Sequence, residues 1–394
     1  MVIQLRLGFR GSATRSWVRG VLALWLSVVA TGVLAFQLGP LGPAMESRLT
    51  NEPDSTLALI AGRLGILLKG RVHEEITQLA YDCPVAPGDL AQDAVCAQAD
   101  QDWATPFIIY GVGGNGLAAV SLGAGQGQCG AFGKSCRVDQ TVRFSTQPAC
   151  WYCLFADAQK IAQTQRIVGC RAGAGGGVGK VMPRSHFGAL HFLPAMAGEG
   201  GIPASVTQAE VLDWLEFAWK VSARQINGAR LLRDVPIATI QQRFGCTGWT
   251  VADLYIRGRQ DAASGLAPKL HHIAFGSVLH TVQDSFAAGH VEREAGGATE
   301  EVCPGSSYPQ PPRVIEFHAY GHQDPALHDA ADTRAAMTGE HTVEGWPDAV
   351  AASRNLAQLH EDLSPWDEVK PYLQCLFELS SQNRASSAGA GFSR

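Results

Sequence analysis

The sequence predicts a mainly α-helical domain interrupted by one loop-rich insertion. Three observations lead there. Apolar residues recur at helical spacing in several separate windows. Alternating strand patterns are few. Seven of the ten cysteines, and many glycines, crowd into residues 83–180, where long periodic runs are missing. A content of 46% hydrophobic and 17% charged residues excludes a globally disordered chain. At 394 residues the chain can hold one large domain or two ordinary ones.

Residues 1–36 read as an export signal. Arg6, Arg10, Arg15 and Arg19 form a basic start, and an apolar run from Val21 follows. It ends in Val33-Leu34-Ala35, a small-residue cleavage site. The run is shorter than the roughly 20 residues of a membrane span. A cleaved signal is therefore expected over a retained anchor, which makes the protein secreted or periplasmic, or membrane-anchored if the segment stays. Residues 37–69 read as a linker or pro-segment, with an apolar stretch of helical potential at 57–69. The folded domain is expected over 70–380. It opens with a helix from His73 to Ala80, with Ile76, Leu79 and Ala80 on one face. The Cys/Gly-rich insertion 83–180 contains one helical window near 154–167. A long helix is predicted over 207–232, opened by a capping box of Thr207 and Glu210. Further helices are predicted near 249–262, 268–288, 325–338 and 347–361, with a Pro-rich loop at 303–313. Residues 381–394, rich in Ser, Ala and Gly, are expected to form a disordered tail.

The formal net charge of −5 becomes −9 once the four arginines of residues 1–35 are removed. That balance argues against strong binding to duplex DNA, which normally needs a basic face. It leaves small phosphodiesters and single strands open. An even number of cysteines behind an export signal predicts disulfides formed in an oxidising compartment, with the pairing undetermined. Cys150-Trp151-Tyr152-Cys153 has redox spacing but no thioredoxin-like surroundings, so a structural disulfide is expected there. Two Gly-rich decoys fail. Gly111–Gly116 matches G-x-G-x-x-G, yet no second strand or acidic residue follows at the right distance. Gly173–Lys180 is followed by Val181 where a phosphate loop needs Ser or Thr. His73-Glu74-Glu75 lacks the second His of a zinc-protease motif.

The chemistry concentrates in Leu279–His290, which reads H-x-x-x-D-x5-H. His280 and Asp284 are one helical turn apart and share a face. His290 follows where the helix could end. His328 and Asp332 repeat the i,i+4 spacing downstream. Imidazoles and carboxylates so placed are ligands for a divalent ion such as zinc. Upstream candidates are His73, and His186 and His191 in Arg184–Pro194, where aromatics flank each imidazole. His271 and His272 precede His280 on the same predicted helix, where a surface or capping role is expected.

Together these residues resemble the zinc-dependent phospholipase C / P1-type nuclease superfamily. The match rests on the 280–290 motif, on the His328/Asp332 pair, on Leu190-His191-Phe192 and on the early His73. The resemblance implies an exported, multi-helix phospholipase C/P1 nuclease-like domain that holds two or three zinc ions in a cleft. It implies Asp284 as the bridge between two zincs, with His280 and His191 completing one of them. His290, His328 and Asp332 would hold a second, and His186 is a candidate for a missing upstream carboxylate. The implied activity is phosphoric-diester hydrolysis of phospholipase C type, with metal-activated water attacking phosphorus. The implied partner is a phospholipid head group or a nucleotide, with contact to a membrane surface in the first case. A single-strand nuclease or nucleotidase of the same fold is the alternative. It would stack bases on aromatics such as Trp249, Phe275 or Phe286. The reading from another class is a non-catalytic secreted metal-binding protein.

Overall fold

A helix with almost no solvent-facing side sets the architecture. In the computed structural model, which describes residues 72–81, 200–256, 267–295, 301–319, 323–337 and 348–393, all described residues belong to the unit Phe36–Arg394. The expected export signal, linker and Cys/Gly-rich insertion lie outside the described residues. What is described is mainly helical. Its helices are α1 (Val72–Ala80), α2 (Ala204–Ser222), α3 (Ala238–Phe244), α4 (Val251–Ile256) and α5 (Leu270–Asp284), followed by α6 (Pro325–Ala331), α7 (Arg334–Met337), α8 (Ala349–Glu361) and α9 (Trp366–Leu376). Two short strands, β1 (Val291–Arg293) and β2 (Val314–Phe317), pair antiparallel with Val291 opposite Phe317.

Every residue of α5 except His271 and His272 is buried. A helix apolar on all sides belongs in a core, and Ile273, Phe275, Val278, Leu279 and Val282 make α5 one. Its buried hydroxyls turn back on the helix. Thr281 Oγ1 donates to Ser277 O at 2.9 Å, and Ser285 Oγ donates to Val282 O at 2.7 Å. Helix α2 packs along α5, and α8 packs against both α5 and α1. From α2 come Trp214, Phe217 and Trp219, all fully buried. Truncating any one of these to Ala would cost about 3–5 kcal/mol.

Element boundaries depart from expectation where backbone geometry overrides pattern. Helix α2 starts at Ala204, because Pro203, with φ −57° and ψ 138°, aims the chain into the first turn. Thr207 therefore lies inside the helix, fully buried, and the Thr207/Glu210 capping box does not form. The helix stops at Ser222, ten residues early. Arg224 takes a left-handed φ of 58°, and the N–H groups of Gln225 and Ile226 both return to Lys220 O. The helix expected over 325–338 is two, α6 and α7. Asp332, with φ −99° and ψ 53°, leaves helical geometry between them. Helix α9 gives no clear helical signal in sequence, because Pro365 and Pro371 look like breakers. Pro365 instead sits at the N-cap, and Pro371 is accommodated inside the helix.

Residues 381–393 are not a disordered tail. Composition predicts disorder there because few side chains can be buried, but the backbone is tied down. Gly201 N donates to Ser386 O at 2.6 Å and Ser386 N to Ile202 O at 2.9 Å. Ala319 N donates to Ser387 O, and Asp324 N to Phe392 O. The Arg384 guanidinium also bonds Glu316 and Glu292. The segment is a strap across the β-pair. A disulfide between Cys303 and Cys375 joins the Pro-rich loop to α9, and Cys246 is disulfide-bonded too. Among the described residues no helix is long and apolar enough to cross a membrane.

At the N-terminal end of α5, three imidazoles meet two cations. Arg224 donates to His271 Nε2 at 2.9 Å, and the rings of His271 and His272 lie 3.9 Å apart. His360 of α8 stacks on Phe275 at 4.0 Å. Burial, then Arg224 and Lys269, hold His271 down to about 4; burial, then the other two imidazoles and both cations, hold His272 down to about 3. Burial, then His271 and Arg224, lower His360 to about 4. In the unfolded chain these groups titrate near 6.5. The unfolded state therefore binds more protons below that pH, and stability falls as pH drops from about 6.5 toward 4. His360→Phe keeps the stack and removes one titrating group. Its melting temperature, measured in chelator between pH 7 and pH 5, should fall less than that of the parent protein; equal falls would refute the assignment. Breaking the 72-residue loop with Cys303→Ser/Cys375→Ser should cost about 2–4 kcal/mol by denaturant unfolding.

Candidate metal centre

The C-terminal end of α5 carries the chemistry. His280 and Asp284 face the same way, one turn apart, and Asp284 is the last helical residue. The chain then tightens into successive turns: Ala287 N donates to Asp284 O, and His290 N to Ala287 O. This brings His290 back beside Asp284. Helix α6 supplies His328, and Asp332 sits at its C-cap, its N–H bonded to His328 O at 3.0 Å. His73 arrives from α1, 210 positions before Gln283 of α5.

Six of the eight predicted ligands are thereby brought together, as two groups. His73, His280 and Asp284 form one; His290, His328 and Asp332 form the other. Within each group, ligand-capable atoms lie within 4.8 Å of one another, and all six residues are buried. His186 and His191 lie outside the described residues.

Asp284 stands between the groups. Its Oδ1 is 3.1 Å from His73 Nε2 and 3.9 Å from His290 Nε2, and its Oδ2 is 3.5 Å from His280 Nε2. Asp332 Oδ1 is 4.0 Å from His73 Nε2, a second link across. The His73 and His280 rings are stacked, with centroids 4.0 Å apart and planes at 17°. Two imidazolium rings would repel at that distance, so the stack fits at most one charged ring. His290 and His328 meet edge to face at 4.8 Å. Two carboxylates buried among four imidazoles need compensating positive charge, either as protons on the rings or as bound cations. Buried His₂Asp sets with neutral rings suit a divalent ion of zinc type. The donor set fits such an ion; it does not single out which one.

Around these ligands sit residues that sequence spacing did not flag. Gln283 Oε1 lies 3.0 Å from His73 Nδ1, and Gln323 Oε1 lies 3.0 Å from His328 Nδ1. Glutamine carries no metal-ligand signature, so only structure reveals them. Arg293 clamps the turn after Asp284. Its guanidinium donates to Ser285 O, Pro312 O and Leu376 O, and lies 5.1 Å from the Phe286 ring centroid. Burial lowers this guanidinium to about 10. At Gly289 a side chain would crowd the His328 ring. A Cβ there would come within 3.0 Å of His328 Nδ1.

No family model matches this chain, nor does any curated protein or any solved structure. What the centre can bind is set by its own donor atoms.

A third group, Glu292, Glu316 and His318, also has ligand-capable atoms close together. Here the carboxylates are already engaged. Arg384 bonds both, and Glu316 Oε1 accepts from Ser387 N and Ser387 Oγ at 2.5 Å. The ring of His318 packs on Gly389, whose φ is +83°, and is 3.8 Å from Glu292. This is an ion cluster that fastens the strap. Of the aromatics considered for base stacking, Trp249 and Phe275 are core residues.

Gly289→Ala should push the His328 ring aside by a few tenths of an ångström and weaken binding of an added divalent ion such as zinc about tenfold or more. Competition against a chromophoric chelator measures this; unchanged affinity in a folded variant would count against His328 as a ligand.

Proposed function

We propose that this protein is an exported zinc-dependent phosphoric-diester hydrolase of phospholipase C type, built on a phospholipase C/P1 nuclease-like fold. The observation that carries the reading is the position of Asp284 between two buried His/Asp groups, within 4 Å of imidazoles from both. A carboxylate of one group that also lies within 4 Å of an imidazole of the other is placed to serve a two-ion centre. Ions bound there would lower the pKa of water and neutralise charge on a phosphoryl group. The chain's own contribution is placement. Helix α5 fixes His280 and Asp284, the turn to His290 is locked by backbone bonds and Arg293, and α6 presents His328 with Asp332. His186 and His191 are proposed to complete the centre, as the sequence resemblance implies.

The substrate proposed is a phosphodiester with a phospholipid head group. The acidic net charge and the burial of Trp249 and Phe275 disfavour a base-stacking nuclease cleft, although Phe286 is half-buried near the centre.

One observation favours a second reading. All six ligands are buried, and closed metal sites are usually structural. Under that reading the ions stabilise a secreted protein that cleaves nothing.

Metal analysis and hydrolysis assays separate the two. Purified protein should carry two or three zinc ions per chain. It should cleave a chromogenic phosphodiester and phosphatidylcholine vesicles, and lose both activities in chelator. Asp284→Asn should lose metal and activity together. Zinc bound without cleavage of lipid, chromogenic substrate or single-stranded DNA would establish the structural reading; absence of zinc would defeat both.

A further inference from the structure

Gln323 sits where three parts of the fold meet. Its amide nitrogen donates to Gly289 O and to Ala388 O, each at 2.9 Å. Its amide oxygen lies 3.0 Å from His328 Nδ1. Main-chain carbonyls only accept hydrogen bonds. An amide turned the other way would set its oxygen against two carbonyl oxygens and lose both bonds, in a buried place where such a loss is costly. The side chain therefore has one orientation, with its oxygen toward His328. An oxygen that only accepts requires Nδ1 to carry a proton, which in the neutral ring leaves the lone pair on Nε2.

The contrast with Gln283 sharpens the point. Its amide nitrogen contacts two hydroxyls, Thr77 Oγ1 at 2.9 Å and Ser353 Oγ at 3.1 Å. Hydroxyls donate as well as accept. A reversed Gln283 would still be bonded, so it does not dictate which His73 nitrogen carries the proton. Of these two amides, Gln323 is the one whose surroundings fix its orientation.

From this geometry we infer that Gln323 is a positioning residue, which transmits the placement of the C-terminal strap at Ala388 to the His328 ring and fixes its metal-binding tautomer before any ion arrives. One end of the relay is the strap carbonyl, which belongs to a segment pinned by Gly201, Ile202, Ile315 and Ala319. The other end is Gly289, whose missing side chain leaves room for the ring and whose carbonyl shares the same amide. The role in metal binding rests on the metal-centre reading above; the tautomer itself does not.

Histidine-ring 15N NMR of metal-free full-length protein tests the tautomer, with the His328 signals assigned by their loss in His328→Phe. The parent protein should show His328 protonated at Nδ1. Gln323→Leu should shift it to the Nε2–H form that an unconstrained neutral histidine ring prefers. Gln323→Glu, which as a neutral carboxylic acid can donate to one carbonyl and accept from His328, should restore Nδ1–H. Zinc competition titrations on the same proteins should show Gln323→Leu weakening one ion about 10–100-fold, with Gln323→Glu closer to the parent. An Nε2–H ring in the parent protein overturns the inference even if Gln323→Leu fails to fold. So does a parent that binds two ions alongside a folded Gln323→Leu with equal affinity for both. A parent that binds no zinc yet shows Nδ1–H defeats the proposed function alone.

Discussion

The described residues are organised around one buried carboxylate. Asp284 ends a helix enclosed on nearly every side, with three imidazoles from two segments inside 4 Å. A charge in that position is tolerated only while positive charge stays close to it. The requirement reaches outward. It fixes the tight turn to His290, the approach of α1 with His73, and the packing of α1 against α8 that holds that approach in place. Apolar burial by α2 supplies the driving force for the fold, whereas the carboxylate decides which polar groups are admitted to its centre.

Two solutions to burying charge appear side by side. Near Asp284 the partners are imidazoles, which can trade protons for a metal ion. Near Glu316 the partner is Arg384, a permanent cation with fixed donors. Both carboxylates are fully buried. The chemistry nevertheless differs, because guanidinium closes a site and imidazole leaves it able to exchange. At the opposite end of α5, the His271, His272 and His360 rings face Arg224 and Lys269 and stay neutral, with no such role in charge compensation.

Much of the centre was legible in sequence, because helical spacing is geometric. His280 with Asp284, and His328 with Asp332, are placed by the rise of a helix, and His290 by a turn of fixed length. The mainly helical class followed from the same periodicity. That His73 would reach the same place was an expectation of resemblance rather than spacing, since nothing local predicts a contact across 210 positions. The glutamines were illegible because a neutral amide is recognised only by what surrounds it. Helix α9 was hidden by two prolines, and the strap by a composition that buries little surface. Its order comes from backbone bonds, which side-chain patterns do not record. Thr207 misled for the opposite reason: its motif was present, but Pro203 had already started the helix.

The strap has a consequence for how the protein is made. Its partners lie at Gly201, Ile202, Ile315 and Ala319, so these pairings join positions up to 185 residues apart. Contacts of that span form late and slowly. A nascent chain in which residue 388 is still inside the ribosome can form α2 and α5 and pack their apolar faces. It cannot complete the relay through Gln323. During synthesis the helical core can therefore form before the bonds that orient the His328 ring.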